Sequence, residues 1–317
     1  MTCAGSIAIA AVLAGMAVAH AQYPTRPIRL IVPFAAGSGN DTVARFIQPQ
    51  LSAALGQQVV IDNRAGAAGN LGAEVGAKAP PDGYTVMMGN IAHAISMTLY
   101  SRLGYDFVKD FAPVTLLASG SFTLAVHPSL PVTSVKQLIA FAKKRPGELN
   151  VATAGAAIQL SAKLLDSMAR IKMTEINYKS TPQAVTALIS GEASVGFPAT
   201  SSVLQYVRSG KLRALAVTSA QRSSMAPNIP TLAESGVPGY NVTSWYGLVV
   251  PAGTPKEIVA RLHAAAVAAL GNPEVKKRFG STDLEPGGST PDQFGAFIRS
   301  EVAKWAKVIK ESGMRVE

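Results

Sequence analysis

Short apolar runs alternate with longer amphipathic stretches along most of the chain. The apolar runs have the length of strands, and the stretches between them repeat apolar residues at helical spacing. Strands that alternate with helices are typical of an α/β chain with mainly parallel sheets. The pattern predicts strands at Ile28–Val32, Val59–Asp62, Tyr84–Met88, Val114–Leu117, Thr123–His127, Asn150–Thr153, Thr174–Tyr178, Ala193–Phe197, Leu212–Thr218 and Trp245–Val250.

Threonine-proline pairs mark three predicted helix starts, at Thr181, Thr254 and Thr290, because proline is favoured in the first helical turn. The last two also have capping-box spacing, to Glu257 and Gln293 respectively. A final helix is predicted near the C-terminus, where apolar residues recur at helical spacing. Its expected buried face consists of Phe294, Phe297, Ile298, Val302, Trp305 and Ile309.

The first 21 residues contain no Lys, Arg, Asp or Glu and end in Ala19-His20-Ala21. An apolar run followed by small residues at a cleavage position predicts a signal peptide and a secreted protein. The single cysteine, Cys3, lies in this segment. We therefore expect no disulfide, thiolate chemistry or cysteine metal site in the mature chain.

The formal net charge of +10 favours an anionic partner. Nucleic acid is disfavoured, because the basic residues occur singly or in short groups such as residues 143–145, without a basic stripe that interleaves with aromatic residues. A small organic anion fits the composition better. The length of 317 residues allows one large or two ordinary domains.

The motifs of common catalytic and metal sites are absent from the sequence. The histidines after the expected signal peptide, His93, His127 and His263, lie far apart, and none pairs with another at metal-ligand spacing. There is no G-x-S-x-G, S-x-x-K or Walker sequence. We predict a binding protein without metal or cofactor. A secreted enzyme would need a general base, for which His93 and Asp41 are the best candidates.

The turn after the first predicted strand contains two glycines, Gly37 and Gly39. Glycine allows successive amides to point into one concavity, and the following helix, expected to begin near Asp41, adds the positive end of its dipole. Ser38 and Asn40 can supply side-chain donors, whereas Asp41 is better explained as the helix cap. The turn predicts an anion site; an ordinary turn without ligand is the alternative.

A second loop of small residues, Ala154-Gly155-Ala156, follows the predicted strand Asn150–Thr153. We expect the next helix to begin near Gln159. Two such strand-to-helix loops in two halves of a chain indicate a ligand clamped between lobes.

The segment YPTRPIRLIVPFAAGSGND at 23–41 closely resembles the mature N-terminus of the periplasmic receptors of tripartite tricarboxylate transporters, the Bug family. The resemblance covers essentially the whole mature chain. It continues in VVIDNRAGAAGNLGAEVGAKAPPDGYT at 59–85, LGYDFVKDFAPV at 103–114, HPSLPVTSVKQLIAFAKKRPGELN at 127–150, RSGKLRALAVTSAQRS at 208–223 and SWYGLVVPAGTPKEIV at 244–259.

This resemblance implies an α/β protein with the type II periplasmic-binding-protein fold, in which two lobes enclose a ligand cleft. Lobe one would comprise residues 22–122 and 246–317, and lobe two residues 123–245. The implied function is that of a monomeric periplasmic receptor, which passes a small organic carboxylate to a permease with a large and a small integral-membrane subunit. A ligand-sensing receptor for a signalling partner is the alternative, and a secreted enzyme acting on a carboxylate is less favoured.

The family's first ligand loop corresponds to residues 33–41, whose amides would hold a carboxylate, and its second to the loop near Gly155. Tyr178 and Phe197 are expected near the cleft wall. The complete set of expected ligand-binding residues is Phe34, Ala36, Gly37, Ser38, Gly39, Asn40, Asp41, Asn90, His93, Ala154, Gly155, Ala156, Gln159, Tyr178 and Phe197.

The second loop departs from the family pattern. Members usually read G-x-G-T-S-x-H-L, whereas GAAIQL at 155–160 is shorter and lacks the Thr, Ser and His donors, and Pro198 stands where an Asp is common. Buried carboxylates need hydrogen-bond partners, so a tricarboxylate is not expected. We hypothesise a ligand with one carboxylate facing residues 33–41 and a less polar, aromatic body facing Ala156, Ile158 and Phe197.

Overall fold

A computed structural model describes residues 23–315 of the chain. The expected signal peptide, residues 1–21, lies outside the described residues. The described part forms two β-sheets and ten α-helices. None of these helices combines the length and the apolar character that a membrane crossing requires.

Most of the strands span two to six residues, and two are longer. In chain order they are β1 (Ile28–Val32), β2 (Val59–Asn63), β3 (Thr85–Asn90), β4 (Phe111–Ser121), β5 (Thr123–Val126), β6 (Asn150–Thr153), β7 (Thr174–Asn177), β8 (Val195–Gly196), β9 (Arg213–Val217), β10 (Thr243–Pro251) and β11 (Leu284–Pro286).

The helices fill the segments between the strands, and one turn of 3-10 helix spans Ala67–Gly69. In chain order the α-helices are α1 (Gly39–Leu55), α2 (Asn70–Ala77), α3 (Ile91–Leu99), α4 (Val135–Lys144), α5 (Ala156–Ala169), α6 (Thr181–Ser190), α7 (Thr200–Arg208), α8 (Lys256–Gly271), α9 (Pro273–Gly280) and α10 (Pro291–Ser312).

The first sheet has the order β11-β4-β10-β3-β1-β2. Strand β1 is parallel to β2 and β3, whereas β10 is antiparallel to β3 and β4. Helices cover both faces of the sheet, because Ile31 packs in one apolar cluster with α3 and α10, while Leu30 and Val32 pack in another with α1 and α8. This two-sided burial explains why Leu30, Ile31 and Val32 form an unbroken apolar run in β1.

The second sheet has the order β7-β6-β8-β5-β9. Strand β6 is parallel to β7 and β8, and β5 is antiparallel to β8 and β9. We call each sheet with its helices a lobe: the first lobe contains β1–β4, β10 and β11, and the second contains β5–β9. The predicted lobe bounds, 22–122 with 246–317 and 123–245, stay a prediction.

The chain crosses between the lobes at two places that lie side by side. Phe122 alone separates β4 from β5, and the return segment runs from Thr218 to Val242. The Thr218 hydroxyl accepts a hydrogen bond from the Phe122 N–H at 2.9 Å and donates to the Val242 carbonyl at 2.7 Å. One buried side chain therefore joins both crossings.

A buried carboxylate reinforces this junction. Asp283, which is 4% exposed, accepts hydrogen bonds from Ser121 at 2.9 Å and from Ser223. Ser121 also contacts the Thr200 hydroxyl at 2.7 Å, and Thr123 donates to Thr200 at 2.9 Å. Burial raises the pKa of Asp283, although the serine hydroxyls oppose the shift. Since Thr200 and Thr123 belong to the second lobe and Ser223 to the return segment, the network ties the two lobes together.

The lobes also share an apolar core along one side. Helix α10 packs against α3 of the first lobe and α5 of the second, and these helices contribute to one continuous cluster of buried residues. Trp305 is fully buried there, and its indole N–H and that of Trp245 both donate to the buried carboxylate of Glu301, each at 3.1 Å. The C-terminal helix is therefore part of the interface between the lobes.

The structure confirms most of the predicted elements. Each predicted strand overlaps one of β1–β10, and Thr290 caps α10 in a capping box with Gln293. Helix α6 begins at the predicted Thr181, although Ser180 is its N-cap. Helix α8 begins two residues after Thr254, whose hydroxyl donates to the Pro251 carbonyl and does not cap the helix. Strand β11 was not predicted, since three residues that end in proline carry no alternating pattern.

We expect Asp283→Ala to destabilise the protein by about 3 kcal/mol, because two buried serine hydroxyls lose their shared acceptor. Asp283 also has a φ of 58°, where alanine is strained but asparagine is tolerated. Asp283→Asn should therefore cost less. Urea unfolding of both variants measures the difference, and an alanine variant within 0.5 kcal/mol of wild type, the usual range for a surface substitution, would contradict this role for the network.

We predict that the stability of the protein depends on pH through the carboxyl of Asp166 in α5. Burial raises the pKa of its carboxyl to about 6, Glu175 adds to the shift, and the Met173 N–H and Lys163 oppose it. An unfolded Asp titrates near a pKa of about 3.9. The protonated form therefore stabilises the fold below about pH 4, and this contribution is lost as the pH rises through 6. Asp166→Asn should lose that dependence and exceed the wild-type melting temperature at neutral pH.

Asp106 provides a control, because its pKa is shifted in the opposite direction to that of Asp166. Burial acts to raise the pKa of its carboxyl, but the N–H groups of Val108 and Lys109 outweigh burial and lower it. Asp106→Asn should therefore lower the melting temperature at neutral pH and have less effect in acid. If the difference in melting temperature between Asp166→Asn and wild type stays the same from acid to neutral pH, Asp166 is not the source of the pH dependence.

Candidate ligand-binding site

The loop after β1 is built around Asp41. Helix α1 begins at Gly39, and Ser38, not Asp41, is its N-cap, since the Ser38 hydroxyl accepts from the Asp41 N–H at 3.3 Å. The Asp41 carboxylate accepts from the Gly37 N–H at 2.9 Å, from Arg45 at 2.8 Å and from Asn63 at 3.0 Å. Asp41 is thus a structural acceptor that closes the loop.

These contacts favour the ionised form of the Asp41 carboxyl. Burial acts to raise its pKa, but the hydrogen bonds from Arg45, Gly37 and Asn63 outweigh burial and lower the pKa of the carboxyl. The ionised carboxylate is nearly fully buried. It is therefore poorly suited to accept a proton from a substrate.

Several amides of the same loop remain free. The Gly37 N–H is committed to Asp41, and the Ser38 N–H donates to the Ala35 carbonyl at 3.1 Å. The N–H groups of Ala35, Ala36, Gly39 and Asn40 have no protein acceptor within residues 23–315. Ala35, Ala36 and Gly39 are exposed. This part of the predicted anion site is available to a ligand, whereas the amide of Gly37 is not.

Asn90 and His93 form the N-terminus of α3. The Asn90 side chain accepts from the Ala92 N–H at 3.0 Å, and Nδ1 of His93 accepts from the Asn90 N–H at 3.1 Å, which completes a capping box. His93 is fully buried, and burial lowers its pKa to about 4. Both residues were predicted to bind ligand, and the structure assigns them a capping role.

Phe34 lies between this capping box and the cleft. Its ring meets the His93 ring edge-on, with centroids 6.2 Å apart. It packs on Gly69, where a Cβ would lie only 2.8 Å from the ring and where φ is 95°. Glycine at position 69 therefore makes the space that the ring occupies.

The second loop presents backbone amides without any side-chain cap. Gly155 has a φ of 78°, and α5 begins directly after it at Ala156, three residues before the predicted start. The first backbone hydrogen bond of α5 is made by the Gln159 N–H, which donates to the Gly155 carbonyl at 3.2 Å. The amides of residues 156–158 have no protein acceptor in the described part of the chain. Such a helix end is suited to bind an anion.

A cavity of about 550 Å³ lies between the two lobes. It brings together five predicted residues from both loops: Phe34, Ala154, Gly155, Ala156 and Gln159. Its other walls were not predicted; they come mainly from α3 and the segment after α10. These additional lining residues are Ala68, Ala92, Ile95, Ser96, Leu99, Tyr100, Ala157, Met314 and Arg315.

The lining is mostly apolar, and Arg315 is the only charged residue among the described residues that form it. The positions from α3, such as Ala92, Ile95 and Leu99, follow one face of a helix. That periodicity was the one sequence signal for this wall, although it did not say what the face would contact.

Other predicted residues lie outside this cavity. Residues 36–41 belong to the first loop but do not line it, and neither do Asn90 and His93. Tyr178 faces a separate open groove at the edge strand β7, where its hydroxyl donates to Glu192 at 2.9 Å. Phe197 is fully buried and lines a small apolar recess with Ile158. That Tyr178 and Phe197 contact a ligand stays a prediction.

The candidates for a general base do not reach the cavity. Asp41 and His93 are both buried, and neither lines it. Within residues 23–315 no group of three His, Cys, Asp or Glu side chains is placed to hold a metal ion. The arrangement supports binding of an anion through backbone amides.

Comparison with known proteins gives a consistent result. Residues 43–314 match the model of the tripartite tricarboxylate transporter family receptor. BugT of Bordetella pertussis is 36% identical over 301 residues, which cover 93% of this chain and 92% of that protein.

Two solved structures resemble this chain closely. Rpa4515 of R. palustris with adipate has a TM-score of 0.77 and 38% identity, covering 92% of this chain and 99% of that one. MatC of Rhodopseudomonas palustris with bound malate has a TM-score of 0.74 and 31% identity, covering 90% and 100%. These likenesses confirm the expected α/β periplasmic-binding fold. The chain belongs to the tripartite tricarboxylate transporter receptor family, a family of solute-binding proteins and not of enzymes.

Proposed function

We propose that this chain is a periplasmic receptor that captures a small organic carboxylate and delivers it to a tripartite tricarboxylate-type permease with a large and a small membrane subunit. The observation that carries the proposal is the cavity between the lobes, onto which the uncapped N-terminus of α5 opens. Its volume of about 550 Å³ lies within the range of small-molecule sites. Relatives with adipate and malate bound support a carboxylate as the ligand class.

In this proposal the carboxylate binds at the amides of α5, whose first residues line the cavity. The rest of the ligand lies against the apolar wall of Ile95, Leu99 and Met314. Ile158 and Phe197, which the sequence analysis places against the ligand body, line an adjoining recess that shares Ala154 with the cavity. Backbone amides at one helix end provide partners for one carboxylate, and Arg315 is the only charged side chain among the described residues that line the cavity, so a third carboxylate would lack a partner.

Ligand preference tests this proposal directly. We expect benzoate or adipate to raise the melting temperature in proportion to concentration, and citrate to do so only weakly, because binding to the folded state stabilises it. Thermal-shift titration followed by calorimetry measures the effect. Tight binding of citrate without binding of any apolar monocarboxylate would contradict the proposed wall, and stabilisation by none of the three would contradict the carboxylate class.

Removal of a single amide tests the position of the carboxylate. Ala156→Pro deletes the first N–H of α5 at a position where proline is compatible with the helix. The preceding residue, Gly155, has a ψ of 158°, which proline also allows. We expect affinity for the stabilising carboxylate to fall about tenfold or more, as for loss of a hydrogen bond to a charged group.

A matched control is Lys256→Pro, at the first position of α8. There the preceding ψ of 139° is also compatible, and the residue does not line the cavity. The control should fold and bind as wild type does. Undiminished binding by Ala156→Pro would show that the carboxylate is held elsewhere.

A further inference from the structure

Arg315 places a positive charge in a lining that is otherwise uncharged. It is the only charged residue among the described residues that form the cavity between the lobes, and most of the others are apolar. Small-molecule sites are usually apolar cavities in which a few polar groups fix the orientation of the ligand. Arg315 is therefore the side chain of this lining best suited to recognise a second anionic group.

The segment after α10 is anchored beside the cavity. The helix ends at Ser312, and Gly313 takes a left-handed conformation with a φ of 69°, which is a common way to end a helix. Met314 then packs against the buried cluster to which α3, α5 and α10 contribute. Since Arg315 directly follows this packed residue, its backbone is held next to the cavity that it lines.

The charge of Arg315 is available to a ligand. Within residues 23–315 no carboxylate forms an ion pair with it. Glu311, one turn earlier, contacts Lys307 at 4.0 Å and accepts a hydrogen bond from the Ser167 hydroxyl at 2.9 Å. Arg315 is exposed, so its guanidinium carries no burial penalty before a ligand binds.

The cavity thus has two different partners for anions, one from each lobe. Ala156 and Ala157 of α5 present backbone amides from the second lobe, and Arg315 follows α10 of the first lobe. The lining residues of α3 run from Ala92 to Leu99, which is about 10 Å at a helical rise of about 1.5 Å per residue. An extended ligand with an anionic group at each end can therefore lie along α3.

A guanidinium distinguishes a carboxylate from an apolar group at this position. Its planar set of donors matches the two oxygens of a carboxylate, and the pair attracts more strongly beside apolar walls than in open water. A ligand that ends in a methyl group would displace water from the guanidinium without replacing its hydrogen bonds. The backbone amides of α5 make no such distinction, because they bind only the first carboxylate.

We propose that Arg315 is a specificity-determining residue, whose guanidinium binds the second carboxylate of a linear dicarboxylate while the amides of α5 hold the first. This inference rests on the proposed function and deepens it, because it names the ligand as a dicarboxylate with an apolar middle. The ligand then joins α5 of the second lobe to the segment after α10 of the first.

Adipate and hexanoate form a matched pair of probes, because they have the same chain length and differ by one carboxylate. We expect the wild type to bind adipate at least about tenfold more tightly than hexanoate, as for a gained hydrogen bond to a charged group. Arg315→Gln should bind adipate no better than hexanoate and should bind hexanoate within about twofold of wild type, the range of a surface substitution. Thermal-shift titration and calorimetry measure both affinities.

Lys310→Gln is the matched control for the loss of one positive charge. Lys310 lies in the last turn of α10, is exposed and does not line the cavity. This variant should keep the wild-type preference for adipate. A loss of preference as large as that of Arg315→Gln would show a long-range effect of net charge and would overturn the inference.

The wild type separates failure of this inference from failure of the proposed function. If neither adipate nor hexanoate stabilises it, both fail. If it binds the two equally well, the inference alone is overturned. The same holds if Arg315→Gln keeps the preference for adipate, or if it weakens both ligands to the same extent, since that result reports a general change of the cavity.

A series of linear dicarboxylates from succinate to suberate provides a second measurement. Two anion partners at a fixed separation should give the wild type one best chain length, and this optimum should disappear in Arg315→Gln. Wild-type affinity that only rises with chain length would report apolar contact alone and would overturn the inference.

Discussion

The arrangement of the two lobes depends on the junction where the chain crosses between them. The first crossing consists of Phe122 alone, and its backbone bonds to Thr218 of the return crossing. The buried carboxylate of Asp283 accepts hydrogen bonds from the hydroxyls of Ser121, before the first crossing, and Ser223, in the return segment. Because every polar group there has a partner inside the protein, relative motion of the lobes must act on a fully bonded network.

On another side of the junction, the lobes meet through apolar packing. Helix α10 of the first lobe contacts α5 of the second, and α3 lies beside both. The cavity uses the same helices: α3 forms its apolar wall, the N-terminus of α5 supplies amides, and Met314 follows the end of α10. A ligand there contacts both lobes, so it favours whichever arrangement brings those surfaces together, in proportion to its extra affinity for that arrangement.

The shortened second loop determines what chemistry remains at the cavity. With Gly155 followed directly by α5, there is no side-chain cap and no hydroxyl or imidazole at the helix start. Anion binding in the second lobe then falls to the backbone, whose amides carry no charge and have a fixed direction. In the first lobe, by contrast, Asp41 already uses one loop amide. The two lobes therefore offer different numbers of donors, although their loops look alike in sequence.

Local pattern was sufficient for the alternation of strands and helices and for the capping box at Thr290, because these depend on residues a few positions apart. The long family motifs likewise identified the receptor class. Local pattern did not predict which side chains face the cavity. Ser38 rather than Asp41 caps α1, Tyr178 lies at a sheet edge, and Met314 comes from the far end of the chain to line the site. Only the tertiary structure decides such positions, since they arise from contacts between segments far apart in sequence, and local periodicity carries no information about those contacts.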